Sequence, residues 1–132
     1  MKNNVLAVVG GTVALFGLGY LIYVVLGYHA MNGEGVDAIK GDLNIPTIIL
    51  MEVLYATLIT MIFSKWAQIK TFATGAKAGF IIGLFLGGLP ALELFSTTVG
   101  LTDITGVLTG AVTFAVRFAV AGGVIGWLLG RD

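Results

Sequence analysis

Three charged residues interrupt otherwise apolar stretches of this sequence and are the first candidates for chemistry: Glu52, Glu93 and Arg117. A charged side chain at the centre of a bilayer costs about 2.5 to 3.5 kcal/mol or more, so each is expected to face the protein interior. One cation and two carboxyl groups leave an excess negative charge in a low dielectric, which favours protonation of one glutamate. Glu52 is the better candidate for a proton-binding group because it lies deeper than Glu93.

Helix geometry predicts that these charges share one layer of the membrane with several hydroxyl groups. At about 1.5 Å per residue, Glu52 lies roughly 9 Å and Arg117 roughly 18 Å from the outer ends of their helices. Side chains lean toward the N-terminus of their own helix, so Arg117 leans outward and Glu93 inward. All three are therefore predicted to converge in the outer half of the membrane. The hydroxyl-bearing residues expected in this layer are Tyr20, Tyr23, Tyr55 and Thr113.

This polar layer supports three interpretations. In the first, Arg117 and one glutamate form a buried ion pair that fixes the register of the helices, and tyrosines bond the remaining polar atoms. In the second, a protonatable glutamate serves a proton-coupled carrier. In the third, the guanidinium of Arg117 holds an anionic head group or a carboxylate that enters between helices from the outer leaflet.

The elements that must position these residues are membrane-spanning helices. The chain has 132 residues, of which 58% are hydrophobic and 11% charged, and its mean hydropathy is +1.02. A bilayer core of about 30 Å needs roughly 20 apolar residues of helix. Four such stretches are predicted, at about residues 5–26, 46–66, 76–96 and 105–129. The sequence therefore predicts one all-α domain over residues 1–132, an integral membrane bundle of four transmembrane helices with up-down topology.

The distribution of positive charge predicts the orientation of this bundle, because short cytoplasmic loops retain Lys and Arg. With up-down helices, five basic residues fall on one side: Lys2, Lys65, Lys70, Lys77 and Arg131. The opposite side has Lys40 and the acidic residues Glu34, Asp37, Asp42 and Asp103. Both termini are therefore expected in the cytoplasm and the protein in a bacterial-type inner membrane. Trp66 and Trp127 are expected near the cytoplasmic interface, where indole rings commonly lie.

Capping signals mark where two of the helices begin. Asn44 precedes Ile45 and Pro46, the pattern of a cap followed by a proline in the first turn, and Asp103 or Thr105 can cap the fourth helix. The glycine-rich connector between the first two spans is expected to hold a short helix at about residues 36–40. These signals concern the fold and predict no function.

Glycine recurs every four residues in the third and fourth spans and predicts close helix packing. The stripes consist of Gly75, Gly79, Gly83 and Gly87 in the third span and Gly122, Gly126 and Gly130 in the last. Lipid supplies no hydrophobic drive between helices, so small-residue stripes gain van der Waals contact by letting backbones approach. The stripes are interpreted as packing within the bundle, as a contact between copies of the chain, or as a hinge for transport motion.

Composition excludes several classes of function. With Cys 0 and His 1, the usual metal sites, thiol nucleophiles and disulfides are unavailable, and the 14 charged residues (7 Lys+Arg and 7 Asp+Glu) are too few to bind nucleic acid. His29 has Asp37 and Asp42 as its nearest possible co-ligands, and it is interpreted as a solvated loop residue. No catalytic constellation is recognisable. We therefore predict no metal, no cofactor, no nucleic-acid partner and no enzymatic activity.

Several segments resemble the small four-helix inner-membrane families that are common in bacteria. These are GYLIYVVLG at 19–27, SKW at 64–66, GAKAGFIIG at 75–83 and GGVIGWLLGRD at 122–132. Such families bring no known activity with them, so the resemblance implies a fold and a membrane but no reaction. Small multidrug exporters are similar in length and helix number, yet they carry their working glutamate in the first helix, which has no charge here.

The leading functional prediction is binding or transport of a small or lipid-like ligand at an outward-opening polar site built on Glu52, Glu93 and Arg117. The alternative is a structural or accessory subunit of a larger membrane complex, in which the charges only lock the helices. The first predicts a water-accessible cavity at the level of Glu52, whereas the second predicts a closed bundle with a small-residue face against another chain. The expected partners are the lipid bilayer and either further copies of the chain or a larger complex.

Overall fold

The computed structural model describes residues 2–29, 31–36, 41 and 44–131, which form four long helices. Helix α1 is Lys2–Gly19 with a wider turn at Tyr20–Val25, α2 is Ile45–Met61 with a wider turn at Ile62–Ala67, α3 is Phe72–Thr97, and α4 is Ile104–Leu129. All four are long and apolar enough to span a membrane. The predictions of an all-helical fold and of four helices with the length and composition of membrane spans are confirmed.

Side-chain caps mark the starts of the helices that follow connectors. The side chain of Asn44 accepts a hydrogen bond from the N–H of Thr47 at 3.1 Å, with a proline in the first turn. Asp103 accepts from the N–H of Gly106 at 2.8 Å. The predicted cap of α2 is therefore confirmed, and of the two candidates for α4 the cap is Asp103. Most of the short helix expected at 36–40 lies outside the described residues, as do Asp37, Lys40 and Asp42.

Helix α4 is the central element of the molecule. In its most apolar stretch 56% of the residues are buried, against 22% in each of the other helices. It packs against α3 on one side and against α1 and α2 on the other, and α1 also packs against α2. Within the described residues α2 and α3 approach each other little. A charge on the inner face of α4 is thus shielded from lipid by three neighbouring helices.

The glycine stripe of α3 lies against the backbone of α4. A Cβ atom on any of its four glycines would collide with a carbonyl oxygen of α4. The pairs are Gly75 with Gly122, Gly79 with Phe118, Gly83 with Phe114, and Gly87 with Gly110. In return, Gly122 and Gly126 face the carbonyls of Gly75 and Thr71, and Gly130 faces that of Lys70. The stripe is therefore covered by another helix of the same chain, at a distance that side chains would not allow.

A compact apolar core joins α1, α2 and α4. Its fully buried members are Ala7 and Leu15 of α1, Ala56, Ile59 and Phe63 of α2, and Phe118, Ala121 and Ile125 of α4. Interiors packed in this way respond to the loss of even single methylene groups. The core fixes the rotation of α1, α2 and α4 about their axes, and so determines which of their polar residues meet.

The connectors that precede α2 and α4 are hydrogen-bonded to each other. The N–H groups of Gly33 and Gly35 donate to the carbonyls of Leu101 and Gly100 at 3.1 and 2.7 Å. The amide of Asn32 donates to Asp103 at 3.0 Å. The N–H of Gly106 and the amide of Asn32 together hold the pKa of the Asp103 carboxyl below its usual value of 3.8.

This arrangement predicts an acid-sensitive contribution to stability. Because folding lowers the pKa of Asp103, the stability contributed by its charged form is present above pH 3.8 and is lost as the pH falls through the lowered value. Asp103→Asn retains a capping side chain but no charge. In detergent we expect its melting temperature to lie below that of the wild type at neutral pH, and the two to converge in strong acid. In an Asn32→Ala background, the difference in melting temperature between Asp103 and Asp103→Asn should be smaller. A difference in melting temperature that does not change with pH would contradict the role of the charge.

Candidate binding site

The central feature of the candidate site is an ion pair between α2 and α4. The Nη2 atom of Arg117 lies 2.5 Å from Oε2 of Glu52, and each side chain is 2% exposed. Glu52 lies on the same face of α2 as Ala56, one turn further on, so the packing of that face directs the carboxylate toward α4. The two charges most costly to bury in lipid therefore neutralise each other inside the helix cluster.

The guanidinium of Arg117 also bonds groups on α1. Its Nη2 donates to the carbonyl of Leu15 at 3.3 Å, and its Nη1 donates to the hydroxyl of Tyr23 at 3.4 Å. The Tyr23 hydroxyl in turn donates to Oγ1 of Thr113 at 3.3 Å, and Thr113 donates to the carbonyl of Thr109 at 2.7 Å. A continuous chain of polar contacts thus runs from Glu52 through Arg117 and Tyr23 to Thr113.

Aromatic rings enclose the guanidinium. The Cζ atom of Arg117 lies 5.1 Å from the ring centre of Phe114 and 5.4 Å from that of Tyr23, both within the range of cation–π attraction. Tyr55 meets Phe118 edge-on, with ring centres 5.2 Å apart. Phe114 is a site residue that sequence reasoning missed. Its position three residues before Arg117, on the same helix face, was the signal that could have revealed it.

The local shape of α1 is consistent with the hydrogen bond between Arg117 and the carbonyl of Leu15. Leu15 lies just before the point at which the helix widens, at Tyr20–Val25, and a group that inserts beside the hydrogen-bond ladder is a known cause of such changes. Gly19 has no side chain, and a Cβ atom there would lie 3.4 Å from Nη2 of Arg117. The Leu15 carbonyl could not have been found from sequence, because a backbone acceptor leaves no residue-type signal.

The structure corrects part of the predicted polar layer. The interior position predicted for Glu93 is wrong, because its side chain is exposed. The buried face of α3 follows the glycine stripe to Ala91, and two further residues rotate the helix by about 200°. Tyr20 is also exposed, at 56%, and makes no hydrogen bond with a described residue. Glu52, Arg117, Tyr23 and Thr113 are brought together, whereas Glu93 and Tyr20 are not part of their hydrogen-bonded cluster.

Two cavities flank the hydrogen-bonded cluster. The larger cavity, of about 620 Å³, lies between α3, α4 and the first connector, and Tyr23 and Thr113 are among its lining residues. It is named the outer cavity because it lies at the end of the helices that is predicted to face outward. The lateral cavity, of about 200 Å³, lies between α1 and α2 and is lined by both Glu52 and Arg117. Tyr23 borders both cavities. The charged pair is therefore linked by one hydroxyl group to the outer cavity and directly borders the lateral one.

Comparisons of the chain with known protein families, characterised proteins and solved structures find no match. The resemblance to small four-helix inner-membrane families therefore stays a prediction. What the site can do follows from its own geometry.

Two atoms of the ion pair are buried without a hydrogen-bond partner among the described residues. They are Oε1 of Glu52 and Nε of Arg117. An unsatisfied buried polar atom costs about 1 to 3 kcal/mol, and more when the group is charged. The pair thus retains one acceptor and one donor that no described residue satisfies.

The described residues contain no group of three or more His, Cys, Asp or Glu side chains that could hold a metal ion. His29 stacks on Tyr23 with ring centres 5.8 Å apart, at the outer cavity. Its two proposed co-ligands, Asp37 and Asp42, lie outside the described residues.

Proposed function

We propose that this protein binds, or transports, a small or lipid-like ligand at a polar site in the outer half of the membrane. The observation that carries the proposal is the position of the buried Arg117–Glu52 pair between two cavities, linked to the larger one by Tyr23 and Thr113. Glu93 is exposed and is not part of this site, and the hydroxyl of Tyr23 is the group that links the ion pair to the outer cavity.

The outer cavity has the features of a ligand site. Its volume of about 620 Å³ lies within the range of about 300 to 1,000 Å³ that is usual for small-molecule pockets. Apolar side chains such as Leu86, Leu94 and Phe114 form much of its wall, and the hydroxyl groups of Tyr23 and Thr113 supply directional bonds. Ligand pockets typically combine an apolar lining with a few well-placed polar groups.

We further propose an up-down bundle in a bacterial-type inner membrane with both termini in the cytoplasm. The glycines of α3 and their partners in α4 pair in reverse order along the chain, as expected for antiparallel helices. The side chain of Asn3 in α1 donates to the carbonyl of Arg131 after α4, which supports a common end for these two helices. The excess of Lys and Arg predicted at that end favours the cytoplasm.

Because the chain has Cys 0, single cysteines can test whether water reaches the outer cavity. In proteoliposomes we expect Thr113→Cys to react with a small, membrane-impermeant methanethiosulfonate added from one side, at least an order of magnitude faster than Ala115→Cys. Both positions are buried and lie two residues apart on α4, but only Thr113 is among the residues that line the outer cavity. Thiol modification requires a water-accessible thiolate.

The two outcomes separate the candidate functions. Modification of Thr113→Cys from the outer side supports both the open site and the proposed orientation. Equal and slow modification of the two cysteines would contradict a water-accessible site and would favour the accessory interpretation.

The second candidate function is a structural or accessory subunit of a larger membrane complex. It is favoured by the complete burial of the ion pair, since a pair at 2% exposure can act as a register lock without any ligand. In this interpretation a partner, or further copies of the chain, would cover lipid-facing surface. The stripe of α3 is already covered by α4, so association would have to use a different face.

A further inference from the structure

The lateral cavity between α1 and α2 is the feature of the molecule that best defines the chemistry of a ligand. Several of its lining residues are large apolar side chains with substantial exposure: Val24 at 50%, Ile45 at 41% and Met51 at 39%. In a membrane-spanning helix pair, exposed apolar groups face lipid. The mouth of the cavity is therefore directed at the bilayer, and its occupant enters from the lipid phase.

The ion pair that borders the cavity carries an unsatisfied acceptor. Glu52 lines the cavity and is 1% exposed, and its Oε2 is engaged by Arg117 while its Oε1 has no hydrogen-bond partner among the described residues. Buried polar atoms in proteins are nearly always hydrogen-bonded. A molecule in the lateral cavity can satisfy this oxygen only by donating a hydrogen bond.

The charge of the occupant follows from the charge of the pair. Glu52 and Arg117 already neutralise each other at 2.5 Å, so a third full charge in the same low-dielectric space would be uncompensated. An uncharged hydroxyl group donates a hydrogen bond without this penalty. The chemistry of the cavity thus favours an alcohol over an ammonium group or an ionised acid.

The size of the cavity limits how much of the occupant it holds. A volume of about 200 Å³ is smaller than the roughly 300 to 1,000 Å³ of pockets that enclose whole drug-sized ligands. It accommodates a polar head and its first carbons, and a longer apolar part has to stay in lipid. Tyr20, at 56% exposure, lies at the mouth, where the amphipathic phenol ring can contact both parts.

We propose that the lateral cavity binds the hydroxyl head of an uncharged membrane amphiphile of the diacylglycerol or long-chain alcohol class. The hydroxyl donates to Oε1 of Glu52, and the alkyl part lies in lipid beside α1 and α2. This inference rests on the proposed function and specifies the ligand class of its polar site. The source of the ligand is the bilayer itself.

Matched lipids test the proposal in nanodiscs of phosphatidylcholine. We expect increasing mole fractions of dioleoylglycerol to raise the melting temperature of the wild-type protein saturably. The same lipid with its hydroxyl converted to a methyl ether should bind at least about tenfold more weakly, as expected for the loss of one hydrogen bond to a charged acceptor. The ether retains both acyl chains, so the comparison isolates the hydroxyl group.

Variants of two adjacent residues locate the binding. Ile48 is half-buried and lines the lateral cavity, whereas its neighbour Ile49 is 43% exposed and lines neither cavity. We expect Ile48→Phe to fill the cavity and to lose the response to dioleoylglycerol, and Ile49→Phe to retain it. Val24→Phe, at the mouth of the cavity, serves if Ile48→Phe does not fold. Neither position belongs to the ion pair.

Three results would overturn the inference: no response to either lipid, equal responses to the alcohol and the ether, or a response that survives both plugging variants. None of these three results would contradict binding at the outer cavity. Modification of Thr113→Cys, measured in the same nanodiscs, would still support the proposed site, so the failure of the ligand class and the failure of the proposed function are distinguishable.

Discussion

Arg117→Met is expected to destabilise the protein by about 3 to 5 kcal/mol, because it leaves the carboxylate of Glu52 buried without its counter-ion. The side chain of Glu52 is 2% exposed and cannot recover its bonds from solvent. Glu52→Gln should also be destabilising, since the guanidinium then has no charged partner. The free energy of unfolding in a mild detergent measures both effects.

The double variant is the decisive control. If the two residues act as a pair, Arg117→Met combined with Glu52→Gln should be more stable than the sum of the single effects predicts, by about 0.5 to 3 kcal/mol. Glu93→Gln changes an exposed carboxyl group and should lie within about 0.5 kcal/mol of the wild type. Additive single effects would show that the two charges contribute independently and would weaken both candidate functions.

The stability of the pair and its function are separate questions. Replacing both partners of a buried ion pair by apolar groups is often neutral or stabilising, so burial alone does not explain why Glu52 and Arg117 occur here. The unsatisfied Oε1 and Nε atoms go beyond what a register lock requires. A double variant that is stable but no longer responds to a hydroxyl-bearing lipid would assign the charges to binding.

Composition and capping residues were enough to predict the spans, because both act locally. About 20 apolar residues suffice for a span, and Asn44 and Asp103 satisfy N–H groups within three residues of themselves. An ion pair between Arg117 and one of the two glutamates also followed from simple physics, but the sequence left open which glutamate it is. Two opposite charges on apolar helices have few other groups with which they can pair.

The prediction that Glu93 faces the interior was wrong, and the reason is physical. The depth of Glu93 along its helix predicts the layer in which its carboxyl group lies, but depth does not determine which way a residue faces. The glycine stripe of α3 already defined the face that packs against α4, and Glu93 lies far from that face. Position near the end of the helix, four residues before Thr97, also reduces the cost of exposure.

Other parts of the site depend on backbone geometry that residue types do not encode. Tyr20 and Tyr23 lie three residues apart and looked equivalent in sequence, yet only Tyr23 bonds Arg117. Both lie in the wide turn Tyr20–Val25, where regular helix spacing no longer predicts the direction of a side chain. The two cavities likewise depend on helix packing and on the connector that borders the outer one.

Gly79→Leu is expected to destabilise the protein by about 1 to 3 kcal/mol or more, because no side chain fits between α3 and α4 at this position. A Cβ atom on Gly79 would collide with the backbone carbonyl of Phe118, and backbone cannot move aside as a flexible side chain can. The helices would have to separate along the whole stripe. Melting temperature and particle mass in detergent measure the effect.

Gly17→Leu is the matched control for this substitution. Apart from the neighbouring backbone of its own helix, no atom of the described residues lies within 4 Å of the Cβ position at Gly17, so the same side chain there should change the free energy of unfolding by no more than about 0.5 kcal/mol. Equal stability of the two variants would contradict the packing of α3 on α4. If the wild type is an oligomer and Gly79→Leu is a monomer with an unchanged melting temperature, the stripe lies between copies of the chain. Only that result would support a role of the stripe in oligomerisation.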